Sequence, residues 1–156
     1  MKEISREETG DFAVSFLEGL MGAARLNLHV KEAQAGDEGV TLELHGADGG
    51  LVLANNGRVL YALEHVVNQA LHRRGANQPK VRLDCNGYRS TRILELQLLA
   101  RKAAERVRTT GTPLSLQPMP SAERRIIHLA LAEEADVRTE SSGAGLRRHV
   151  VILPGQ

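Results

Sequence analysis

At 156 residues with 42% hydrophobic content, the chain is long enough for one domain or two small ones and apolar enough for a packed core. No stretch approaches the roughly 20 apolar residues of a membrane span, and the N-terminal MKEISREETGDF lacks the apolar run of a secretory signal, so a cytoplasmic location is expected. The formal net charge of +1 hides an asymmetry: residues 1–85 hold nine Lys or Arg against twelve Asp or Glu, net −3, and residues 86–156 hold eleven against seven, net +4. The second half is therefore the better suited to an anionic partner.

Ser5 and Glu8 have the spacing of a capping box, and Phe12, Phe16, Leu17, Leu20 and Met21 then recur at helical period, predicting a first helix to about Ala24. Leu26, Leu28 and Val30 alternate with polar residues, the turn AGDEG follows, and Val40, Leu42 and Leu44 alternate again, the pattern of an antiparallel hairpin with one buried face. After HGADGG, a short apolar segment GLVLA meets ANNGR. Leu60, Leu63, Val66, Val67, Ala70 and Leu71 then mark a long amphipathic helix to about Arg74. Val81, Leu83 and Cys85 supply a third strand. Cys85 is the single cysteine, with no partner for a disulfide or a metal site, and reads as a buried strand residue.

From about Ser90 to Thr109, Ile93, Leu96, Ala100, Ala103, Ala104 and Val107 keep one face of a helix, which Gly111 and Pro113 stop. A short strand PLSLQ leads to PSAERRIIHLAL, a helix in which Arg124, His128, Ser121 and Arg125 share one polar arc. Ala122, Ile126, Ile127, Leu129, Ala130 and Leu131 take the remainder of that helix. DVRTES and LRRHVVIL read as two strands joined by the glycine turn SGAG. The fold class expected is α/β of the α+β kind, with one unit over 1–85 and a second over 86–156, a small sheet with helices laid across it.

The run PMPSAERRIIHLALAEEADVRTESSGAG followed by RRHVVILP resembles the R-three-H domain, named for its Arg-x-x-x-His signature, as it occurs in the bacterial Jag family of SpoIIIJ-associated proteins. Upstream, DGGLVLANNGRVLYALEHVVNQAL and VRLDCNGYRS sit where that family has a type II KH domain, and the order of helices and strands is similar to that fold. The separate N-terminal domain of longer members has no counterpart in these residues, and its role is not carried over. The resemblance implies single-stranded nucleic-acid binding, mainly of RNA with single-stranded DNA as a competitor, and a regulatory role after transcription linked to cell elongation and division. It also implies pairing with a second, small KH protein of the KhpA kind or with another copy.

In the family's terms Arg124 and His128 are the signature pair. An arginine bridges two phosphate oxygens with its planar fork, and a histidine donates a hydrogen bond and becomes cationic when protonated. Arg125 extends the stripe; Tyr88, Arg89 and Arg92 at the junction offer a ring and further charge. The alternatives stay open: a solvated face for the stripe, a salt-bridged junction for Arg89 and Arg92, a solvated turn for Arg147 and Arg148. In a KH domain a G-x-x-G loop lets phosphates approach backbone amides. The matching loop here is Ala54, Asn55, Asn56 and Gly57, followed by Arg58. Alanine replaces the first glycine and two amides replace basic residues, so the loop reads either as a weakened clamp or as part of a unit kept for packing and pairing.

With two Phe and two Tyr in the whole chain, a stacking platform of several rings is excluded, and Tyr61 reads as a half-buried packing residue. The sequence has no G-x-S-x-G elbow, no phosphate-cradling Walker loop and no H-E-x-x-H pair. His65 and His72 have no third ligand beside them and read as surface residues. The expectation is a binding protein without catalysis, cofactor or metal, and the rival is an interaction scaffold that pairs through its KH unit.

Overall fold

The computed structural model describes residues 5–37, 39–75 and 79–155. Glu38, within the expected hairpin turn, lies outside them. The chain divides into two compact units, Met1–Arg89 and Ser90–Gln156.

The first unit opens with α1 (Arg6–Ala23), whose N-terminus carries the expected capping box. Ser5 Oγ accepts from the Glu8 amide at 3.1 Å, and Glu8 Oε2 accepts from the Ser5 amide at 3.0 Å, satisfying two of the helix's orphan donors. Strand β1 (His29–Gly36) pairs antiparallel with β2 (Gly39–His45), with an irregular register between Val30 and Glu32. Leu26 and Leu28 precede β1, though Leu28 is still buried. Helix α2 (Gly49–Arg74) is broken at Ala54–Gly57 into a short and a long helical part. Strand β3 (Val81–Cys85) then lies parallel to β2, which puts β2 at the centre of the sheet. Ala13, Leu17 and Met21 of α1 and Leu60, Val67 and Leu71 of α2 cover the apolar face formed by Val40, Leu42, Leu44, Leu83 and Cys85. Burial pushes the Cys85 thiol pKa up, and the neighbouring Asp84 and Glu43 carboxylates add to it, so the residue is a packing thiol.

The outer edge of β3 is closed by side chains. Asn68 accepts from the Val81 amide at 2.9 Å and donates to the Val81 carbonyl at 2.7 Å. Glu64 accepts from the Leu83 amide at 2.8 Å, and Arg89 Nε donates to the Leu83 carbonyl at 2.6 Å. Backbone groups that another strand would otherwise pair are thus satisfied from α2 and from the residue after the turn.

Helix α3 (Tyr88–Thr110) starts two residues earlier than its periodicity suggests, because Tyr88 packs against the first unit's core. For the same reason the boundary expected after Cys85 falls after Arg89. In the second unit, β4 (Leu114–Ser115) is a two-residue strand, shorter than PLSLQ. It is followed by α4 (Ser121–Ala130), β5 (Val137–Ser142), one 3-10 turn at Gly145–Arg147, and β6 (His149–Pro154). Strand β6 is central, antiparallel to both β4 and β5. Leu96, Ala100 and Val107 of α3 pack with Ile127 of α4 and with Val150 and Ile152 of β6. Ile93, expected on the core face of α3, is 40% exposed. Among the described residues no helix is long and apolar enough to cross a membrane.

Candidate nucleic-acid interface

Helix α4 presents the stripe differently from a simple two-faced helix. Its buried line is Glu123, Ile127 and Leu131, spaced i, i+4, i+8, while Leu129, expected inside, is 65% exposed and Ala122 is also outside. A carboxylate holds a core position because Arg92 of α3 meets it with two parallel bonds of 3.0 Å. Arg92 also reaches Glu95 at 3.2 Å. Arg92 is thus salt-bridged, as the alternative to a nucleic-acid contact had it, but within the second unit and not at a junction, where it neutralises Glu123. Nothing in the helical periodicity of either segment announced this pair.

With Glu123 neutralised, Arg124 and His128 lie half-buried beside the core line and Arg125 is exposed. Arg124 Nη1 donates to the Met119 carbonyl at 2.7 Å, which fixes the guanidinium next to the helix N-terminus and leaves its other donors open. His128 Nδ1 lies 2.6 Å from the Thr139 hydroxyl of β5, so the second ring nitrogen, Nε2, is the one presented. One turn of helix thus carries two side chains, each held by a single contact. In contrast to Arg92, Arg108 and Arg138, which pair with Glu123, Asp136 and Glu140, neither Arg124 nor Arg125 meets a carboxylate among the described residues.

In the first unit, Asn55, Asn56 and Gly57 all have left-handed dihedrals, with φ of 53°, 59° and 71°. Asparagine is the side chain that best tolerates this region after glycine, so the two amides that replace basic residues suit the backbone as built. Gly57 is required twice over: its φ is positive, and a Cβ there would sit 2.8 Å from the Tyr88 ring. Ala54 has ordinary extended dihedrals (φ −59°, ψ 153°), so this backbone makes no demand for a glycine. Ala54, Asn55, Asn56 and Arg58 are exposed at the break.

Tyr88 and Arg89 are placed otherwise than a stacking ring and a free cation. Tyr88 packs beneath Gly57 against the core. Arg89 pairs with Glu64, donates to Leu83, and lies over the Tyr61 ring at 5.1 Å from its centroid. Tyr61 is half-buried, as its position suggested, and His65 and His72 are on the surface. Among the described residues no group of three or more His, Cys, Asp or Glu is arranged to hold a metal.

The sequence profile of the R-three-H domain matches residues 94–154, the second unit almost entirely. The chain is 32% identical over 148 residues to the RNA-binding protein KhpB of Clostridium symbiosum, covering 94% of this chain and 67% of that protein. It is 36% identical to the RNA-binding protein KhpB of Bacillus subtilis, covering 79% of this chain and 64% of the relative. The protein of the same name from Lactiplantibacillus plantarum is 36% identical over 117 residues, which span 75% of this chain and 36% of that relative. By identity that extends over nearly its full length, and by the Arg124 and His128 pair standing on α4, the chain belongs to the KhpB family, with an R-three-H domain as its second unit.

Proposed function

We propose that the protein binds single-stranded nucleic acid, RNA above all, without catalysis, through the stripe Arg124, His128 and Arg125 on α4. The observation that carries this reading is that Arg124 and His128 are each oriented by one intramolecular contact, which leaves further Arg124 donors and the second imidazole nitrogen without a carboxylate partner among the described residues. A guanidinium and an imidazole pre-oriented on one helical turn suit phosphate oxygens, and their fixed positions reduce the entropy lost on binding. The order helix, strand, strand, broken helix, strand of the first unit, with its central β2, supports a type II KH fold for residues 1–89. Its exposed Asn55, Asn56 and Arg58 supply a second, weaker contact with the strand, and Tyr88 and Arg89 act as supports of that loop and of the β3 edge. This reading places the protein in the cytoplasm, in the regulatory role after transcription that the family resemblance implies.

Fluorescence anisotropy with a labelled oligouridylate and a matched duplex tests the proposal. The single strand is expected to bind more tightly than the duplex, and Arg124→Ala to weaken single-strand binding by about 1.5 to 3 kcal/mol. Arg124→Lys keeps the charge but loses the planar fork and is expected to fall between. Equal or tighter binding of the duplex would contradict the proposal.

A second reading, in which the first unit pairs with another KH protein or with a second copy, draws on Leu51 and Val66 of α2, apolar side chains that are 56% and 41% exposed. Size-exclusion mobility with and without RNA separates the two: self-association with no retention of RNA would favour pairing.

A further inference from the structure

Resting on the reading of α4 given above, we propose that the tip between β5 and β6, Leu146 with Arg147 and Arg148, is a further contact site for single-stranded nucleic acid, continuing the path that begins at Arg124 and His128. Continuity comes from the backbone. Arg124 Nη1 donates to the Met119 carbonyl at 2.7 Å, and the Met119 amide donates to the Arg148 carbonyl at 3.2 Å, so two hydrogen bonds join the signature arginine to the tip. Strand alternation adds direction. Val150 and Ile152 of β6 face Ile127 of α4, and Arg148, two residues before Val150 with extended dihedrals (φ −69°, ψ 130°), continues that face beyond the core.

The tip has a built shape. Gly143 has φ +84°, and a Cβ there would meet the Arg147 carbonyl oxygen at 2.9 Å; Gly145 has φ +54°. The Arg147 amide donates to Ala144 at 3.1 Å, the Arg148 amide to Gly145 at 3.2 Å, and His149 Nδ1 lies 3.0 Å from the Arg147 carbonyl. This frame holds Leu146 at 88% exposure, the most exposed large apolar side chain among the described residues. A single exposed leucine is ordinary on a protein surface. Here it stands beside two exposed arginines that meet no carboxylate among the described residues, and residues 141–149 contain no Asp or Glu. A loop with charges for phosphate and an apolar tip for the face of an unstacked base has the two components that single-strand recognition combines. The solvated-turn alternative for Arg147 and Arg148 explains the charge but not a hydrogen-bonded frame that projects a leucine.

The test uses the full chain, a labelled oligouridylate, a salt series, and vesicles containing phosphatidylglycerol as the competing anionic surface. Arg147→Ala with Arg148→Ala is expected to weaken RNA binding about tenfold and to flatten the log–log salt slope by about 1.4. Leu146→Ser is expected to weaken binding about threefold to tenfold with the slope unchanged, since it removes an apolar contact. All these side chains are exposed, so thermal melting by circular dichroism is expected to stay as in the parent chain. If the tip variants bind RNA as the parent does while Arg124→Ala weakens it, the tip site is overturned and the α4 reading stands. Loss of vesicle binding with RNA binding intact would make the tip a lipid contact and overturn the proposal. Failure of the parent chain to bind the oligomer would overturn both.

Discussion

Glu123 occupies a place on α4 where a leucine would serve the packing, and its ionised form is tolerable only because Arg92 lies against it with 15% of its side chain exposed and Glu123 itself with 2%. Removing Arg92 leaves the buried Glu123 carboxylate without it. Arg92→Met is expected to destabilise the second unit by about 3 to 5 kcal/mol, measured by denaturant unfolding, whereas Arg92→Met with Glu123→Leu together is expected to be near neutral or stabilising. A small effect of the single change would show that the carboxylate reaches water instead. Gly57 gives a second residue-level expectation. Gly57→Ala combines a left-handed alanine with a methyl group 2.8 Å from the Tyr88 ring and is expected to cost about 2 kcal/mol or more. A melting temperature equal to the parent's would contradict the packing of Tyr88 under the loop. Arg124→Ala carries its own correction: the polar arc alone suggests no effect on folding, but the bond to the Met119 carbonyl implies a loss of about 1 kcal/mol.

Among the elements, those built from local chemistry were legible in the sequence. The capping box at Ser5, the hairpin alternation, the long helical part of α2 and the helix of 121–130 follow from spacings of three, two and four residues, and these interactions close within one turn or one strand pair. What stayed hidden depends on a partner distant in sequence. The Arg92 and Glu123 pair spans 31 residues, and with Glu123, Ile127 and Leu131 as the buried line Leu129 stands on the opposite side of α4, exposed. The left-handed run at Asn55, Asn56 and Gly57 gives the asparagines a backbone role that composition alone presents as a lost basic pair. Arg108 shows another tie of this type. Near the end of α3 it pairs with Glu134 and Asp136, just ahead of β5. Its hydrogen bond holds the Asp136 carboxyl below the ordinary carboxylate range. A depressed folded value means the contribution is present above the unfolded value and fades as the pH falls through the folded one. Arg108→Ala is therefore expected to raise the Asp136 titration midpoint toward the ordinary range, read by carboxylate NMR, and to change melting at neutral pH more than in strong acid. An unmoved midpoint would mean that the pair does not persist in solution.

At the scale of the whole molecule, the charge split noted in the sequence maps onto two compact units, and the arginines of α4 and the β5–β6 tip that meet no carboxylate among the described residues belong to the basic one. The first unit contributes an exposed loop whose backbone is suited to asparagine, so adding charge there tests whether a strand passes it. Asn56→Arg is expected to steepen the salt dependence of RNA binding by about 0.7, against a left-handed strain of about 1 kcal/mol in stability. An unchanged slope would leave that unit with packing or pairing as its role. Recognition that begins at Arg124 and His128 is read by an amide chemical-shift titration of the full chain with an oligouridylate. The first and largest shifts are expected at residues 119–128, over α4 and the turn before it, and at Thr139 beside His128, and Arg124→Ala is expected to suppress them. Shifts confined to the first unit, with α4 and β5 unmoved at saturation, would contradict recognition at that pair.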